Sequence, residues 1–129
     1  MESLPFKIEV YDGLAETEGM ARIDGDALLL EFRTRDAILG VVRSDLQEIV
    51  IPLSDLASAE YKKGFFGAKL ILRGRKLKVL DPVPGSKAGE VGLGIARKYR
   101  ETAEEFALAL AIRITEHGIR RLDERLMGE

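Results

Sequence analysis

The chain contains no cysteine and one histidine, His117. The first absence removes disulfides, thiolate nucleophiles and cysteine-ligated metals together. The second leaves a zinc site short of ligands. A Ser-His-Asp triad would have to be built on His117, yet no serine occupies a nucleophile-elbow motif. His117 lies late in a helical pattern and reads as a surface or capping residue. Long apolar runs are also missing: "IVIPL" and "FALALAI" fall far short of a bilayer span. The start, "MESLPFKIEV", has no basic region ahead of a long apolar stretch, so no secretory signal is expected. Gly89, Gly92 and Gly94 run in reverse order for a dinucleotide-binding loop, and no Walker lysine accompanies them. These absences point to a non-enzymatic protein without metal or cofactor. Its expected location is cytoplasmic, with a peripheral membrane position as the variant.

What is present suits one globular domain. The 129 residues are 46% hydrophobic and 33% charged, enough apolar side chain for a real core. The net charge of -2 conceals a segregation. Residues 1–60 carry 13 acids against 5 bases, whereas residues 61–80, "YKKGFFGAKLILRGRKLKVL", carry seven bases and no acid. Such asymmetry bears on partners rather than on fold, and it could set the acidic face of one copy against the basic face of another.

Short runs of β character follow one another, punctuated by turns. "MARI" and "LLLEF" flank "DGD", a strong hairpin signal. Asp24 and Asp26 read as turn residues, since a calcium loop needs further spaced oxygen ligands. "AILGVV" and "EIVIPL" flank the turn "RSDLQ"; in the latter run Ile49, Ile51 and Leu53 alternate with Glu48, Val50 and Pro52. Strands are expected over "ASAEYKK", "AKLILR", "KLKVL" and "VGLGIAR", with Gly74 opening a two-residue type II′ turn between "AKLILR" and "KLKVL". The single domain thus divides into an N-terminal extension over 1–16, barrel strands over 17–98 and a helix over 99–126.

The helix is expected to begin near Arg100 or Glu101, with Glu101 or Thr102 as its cap. Tyr99, Ala103, Phe106, Leu110 and Ile114 form one stripe, the side to lay on the sheet. A second stripe, Leu108, Ile112, Ile119, Leu122 and Leu126, falls roughly opposite. A helix covering a small sheet needs only one apolar face. The second is therefore the candidate interface for a homo-oligomer or another protein, unless Gly118 breaks the helix.

Strands closing with one amphipathic helix give the element order of a pleckstrin-homology-like (PH-like) barrel. "IPLSDLASAEYKKGFFGAKLILRGR" resembles the middle of bacterial PH-like and GRAM-like domains, and "VGLGIARKYRETAEEFALAL" resembles their last strand running into the helix. The resemblance covers about residues 17–116. It implies a mainly β fold, a partly open antiparallel barrel of about seven strands stoppered at one end by the helix. It implies binding rather than catalysis, by modules that self-assemble as well as modules that read lipids. Lipid-reading members carry bases around the first hairpin loop. Here that loop is "IDGDAL", which is acidic, so phosphoinositide binding does not carry over.

The basic stretch supplies the alternative function, peripheral association with an anionic membrane. Its candidate surface consists of Lys62, Lys63, Phe65, Phe66 and Lys69 at and beside the tip "GFFG", with Arg73, Lys76 and Lys78 further along. In one reading the phenylalanines enter lipid or a partner while the lysines neutralise anions. In the other, one phenylalanine folds back over the barrel end and the lysines are merely solvated. Nucleic acid is disfavoured, because no helix is basic and the chain is net acidic.

Overall fold

Period-two alternation decides which face of each strand turns inward, and it starts earlier in the chain than the expected barrel. In the computed structural model, which describes residues 3–36, 38 and 45–128, Leu4, Phe6 and Ile8 are buried while Lys7 and Glu9 are exposed. They belong to β1 (Leu4–Val10), so the segment set apart as an extension is a strand of the sheet. The described residues continue with β2 (Ala15–Asp24), β3 (Ala27–Asp36), β4 (Gln47–Pro52), β5 (Leu56–Lys63), β6 (Gly67–Gly74), β7 (Glu90–Ala96) and α1 (Arg100–Met127). Apart from Ile38, the strand expected over "AILGVV" falls outside the described residues.

The seven strands form one antiparallel sheet in the order β4-β3-β2-β1-β7-β6-β5. Its outer strands, β4 and β5, are joined only by the three-residue turn Leu53–Asp55. So short a link obliges the sheet to roll until its two edges meet at that corner. The Leu53 amide donates to the Asp26 carbonyl at 2.8 Å, and the Arg75 amide to the Asp55 carbonyl at 2.8 Å, closing the corner on the β2–β3 hairpin and the end of β6. That hairpin is the one expected from "DGD": Asp24 pairs with Ala27, and Gly25 takes φ +59°, a value glycine adopts without strain.

Away from the corner the rolled sheet stays open, and α1 fills the opening. Ala103, Phe106, Ala107, Leu110 and Ile114 are buried in the common core, chiefly against β5. The helix runs through Gly118 without a break. It has no side-chain cap: a single helical turn, Arg97–Tyr99, leads straight into it, and the Arg100 amide donates to the Arg97 carbonyl. Glu101 and Thr102 lie inside α1, after its first residue Arg100, so neither is placed to cap it.

"KLKVL" is not a strand. Residues 75–89 form a looped connection in which Leu80 and Val83 are fully buried, while Leu77 is exposed. Leu80 and Val83, out of step with the alternating Leu77 and Val79, therefore supply a plug. Gly74 is not at positive φ. It ends β6, and a Cβ there would stand 2.8 Å from Val79 Cβ, so its role is close packing.

Because Leu110 is fully buried between α1 and the sheet, Leu110→Ala should cost about 2–5 kcal/mol of stability in urea unfolding. Leu108→Ala, two residues earlier but facing outward, should change the stability of the isolated fold by less than about 0.5 kcal/mol.

Candidate functional site

At the far end of β5 the chain reverses through Gly64–Gly67, where the Gly64 amide donates to the Gly67 carbonyl at 2.7 Å. Phe65 and Phe66 occupy the two positions inside this turn. They are 81% and 83% exposed, and their rings meet edge to face with centroids 4.8 Å apart. Neither folds back over the barrel end. A tight turn displays its central side chains, and the neighbouring glycines offer no side chain to shelter them.

Beside the tip the register brings a row of residues into line across the outer face. Lys62 pairs with Lys69, Lys69 with Gly94, Gly94 with Lys7, and Lys7 with Glu18. Gly94 contributes no side chain to the row. A Cβ at that position would lie 2.8 Å from the Lys7 carbonyl, so only glycine lets β7 approach β1 this closely. The result is a groove of about 990 Å³ between the tip and β1, with Lys62, Lys63, Lys69, Lys98 and Tyr99 on the tip side and Glu18 and Met20 on the far wall. Lys98 also stands 5.2 Å from the centroid of the Tyr99 ring.

The charges here are unevenly compensated. Lys7 lies 3.4 Å from Glu16 and 3.9 Å from Glu18, and Glu18 also receives Arg35 at 3.7 Å. Among the described residues no carboxylate lies within ion-pair distance of Lys62, Lys63, Lys69 or Lys98. Lys62 and Lys69 face each other directly on adjacent strands, an arrangement of like charges that destabilises a sheet.

The remaining sequence-selected bases stand apart from this cluster. Arg73 is four residues along β6 from Lys69, on the order of 13 Å away. It bonds Glu90 at 2.9 Å, and that hydrogen bond and charge raise its pKa above the ordinary arginine value. Lys76 and Lys78 sit in the looped connection beyond. The basic stretch of the sequence therefore separates into a tip cluster and a distal group. Lys98 joined the tip cluster unforeseen, because its neighbourhood depends on β7 lying beside β6, which no local pattern encodes.

The loop "IDGDAL" closes the second hairpin, not the first. The first hairpin, β1–β2, turns through residues 11–14, and no base occurs between Lys7 and Arg22. His117 is largely sheltered against the β2–β3 hairpin, with Nε2 3.2 Å from Asp26 Oδ1. Among the described residues no three His, Cys, Asp or Glu side chains cluster as metal ligands. No helix among them is long and apolar enough to cross a membrane.

The second helix stripe is uncovered. Leu108, Ile112, Ile119, Leu122 and Leu126 are each between 51% and 74% exposed. From Ile119 to Gly128 every residue is exposed, so the last turns of α1 extend past the sheet.

If Lys62 and Lys69 repel one another as their register requires, Lys69→Gln should stabilise the fold by about 0.2–1 kcal/mol in urea unfolding. The gain should shrink at high salt, where exposed charges are screened.

Comparison with family models, with curated proteins and with solved structures finds no match for this chain.

Proposed function

We propose that this chain is a non-enzymatic interaction module of PH-like architecture that docks on an anionic membrane surface through the β5–β6 tip. The observation that carries this reading is the pairing of two phenylalanines, each more than four-fifths exposed, with four lysines that have no acidic partner among the described residues. Apolar rings displayed beyond a basic rim match a bilayer interface, where rings enter the headgroup layer and ammonium groups meet lipid phosphates. The repulsion between Lys62 and Lys69 is then a cost in the free protein that an anionic surface relieves. The PH-like assignment is supported by the resemblance in "IPLSDLASAEYKKGFFGAKLILRGR" and by the open antiparallel sheet with its C-terminal helix.

Each lysine near such a surface contributes about 1 kcal/mol, and a buried phenylalanine about 2 kcal/mol. Over four lysines and two phenylalanines the gross gain is about 8 kcal/mol, and the cost of immobilising the protein leaves reversible binding weaker than about 1 µM. Self-association through the outer face of α1 is the second reading, favoured by the exposure of all five apolar residues there.

Vesicle co-sedimentation tests the first reading. Vesicles with about 30% phosphatidylserine should bind at least tenfold more strongly than neutral ones. Phe65→Ser with Phe66→Ser, and separately Lys62→Glu with Lys63→Glu, should each weaken binding about tenfold or more. Lys76→Glu with Lys78→Glu, the same charge change at the other end of β6, should leave it nearly intact. Equal loss from both pairs of lysine reversals would reduce the effect to net charge and end the docking proposal. So would preferential capture of a single-stranded oligonucleotide over anionic vesicles.

A further inference from the structure

The outer stripe of α1 has more order than exposure alone conveys. From Leu108 through Ile112, Thr115, Ile119 and Leu122 to Leu126 the steps are four, three, four, three and four residues. That is the spacing of a heptad seam, with Ile112, Ile119 and Leu126 at the a positions and Leu108, Thr115 and Leu122 at the d positions. Thr115 is the polar member, and its hydroxyl already donates to the Ala111 carbonyl at 2.9 Å, so no unsatisfied donor would enter the seam. The seam centres about 145° around the helix from the buried stripe. A second helix can therefore lie along it without meeting the sheet.

Resting on the self-association reading, we infer that the occupant is a second copy of this chain, its α1 packed parallel to the first along Leu108–Leu126. Isoleucine at two a positions with leucine at two d positions is the pattern that favours two parallel strands. Charge selects the same direction. In the parallel pair the small Ala111 and Gly118 occupy the g positions that face Glu116 and Asp123 of the other copy, so no like charges oppose there. An antiparallel pair aligned over the same six positions would centre on His117 and set Glu116 against Glu116.

The overhanging end makes the same demand. Residues 119–128 are all exposed, with Arg121 reaching back to the Ser54 carbonyl, and so short a length of helix is marginal in water without packing. The seam is about 27 Å long. Two such faces bury on the order of 1,000 Å², the lower end for a specific complex, which places dissociation in the micromolar range.

Sedimentation equilibrium at tens of micromolar should give a mass approaching twice the 14.3 kDa chain. Leu108→Asp should raise the dissociation constant about 100-fold while leaving the circular dichroism of the fold unchanged. Direction is readable by cross-linking, because the native chain has no cysteine. Under mild oxidation Leu122→Cys should form a covalent homodimer, since d faces d in a parallel pair. Glu124→Cys, off the seam, should not. A monomer at 100 µM would overturn the inference. So would efficient cross-linking of Leu108→Cys with Leu126→Cys in a mixture where Leu122→Cys alone stays reduced, since that marks an antiparallel pair.

Discussion

Lys7 opposite Gly94 is the single register pair by which β1 meets β7, and so by which the four-strand half of the sheet is joined to the three-strand half. Everything else in the barrel accommodates that junction. β1 is fully paired to β2 on its other side, from Leu4 opposite Ala21 to Val10 opposite Ala15. β7 is fully paired to β6, from Gly67 opposite Ala96 to Arg73 opposite Glu90. Between β1 and β7, by contrast, the ladder is reduced to this one pair. The missing side chain of Gly94 lets the backbones come close, and the same vacancy on the outer face is what makes a groove beside the tip.

The helix completes the roll from the other side. Its apolar inner stripe fills the open mouth, and polar side chains fix its direction. Arg113 Nη1 donates to the Gly25 carbonyl at 2.8 Å, His117 meets Asp26 at 3.2 Å, and Arg121 Nη1 reaches the Ser54 carbonyl at 3.2 Å. These contacts tie two successive turns to the β2–β3 hairpin and the next to the corner where β4 passes into β5. Each is at or near the surface and contributes modestly by itself. Together they determine where the supported helix ends, and hence that Leu122 and Leu126 project past it.

Period-two and period-3.6 patterns made much of this legible in the sequence. They place β2–β3, β4, β5–β6, β7 and both faces of α1 correctly, because each element has one wet side and one dry side. They failed where local alternation was overruled or ignored. "LPFKIEV", within the expected extension, alternates as cleanly as any strand in the chain, with Leu4, Phe6 and Ile8 inward, and it takes the central β1 position. "KLKVL" also alternates, but the end of the barrel needed filling, and Leu80 and Val83 go there from a non-strand backbone. Tertiary demand for buried volume outweighs a short periodic signal. The tip was half legible: its composition marks a turn with two aromatics, but their orientation depends on whether any apolar surface lies within reach. The groove could not be read at all, since it exists only once β1 and β7 are neighbours.

The polarity of α1 connects the two surfaces. Arg100, its first residue, donates from Nη1 to the Gly64 carbonyl at 3.2 Å, so the helix starts at the phenylalanine tip and ends at the overhang. Two helices side by side and parallel have their starts at the same end. Their tips then face one way, and a flat anionic surface can meet both at once. Under the proposed docking and the proposed parallel pair, the second contact would become intramolecular, with an effective concentration set by the fixed spacing of the two tips. An antiparallel pair would point the tips apart and forfeit that gain. A seam of fewer than three heptads and a tip of two rings would each be weak alone, and a membrane that held both protomers would also hold the seam together.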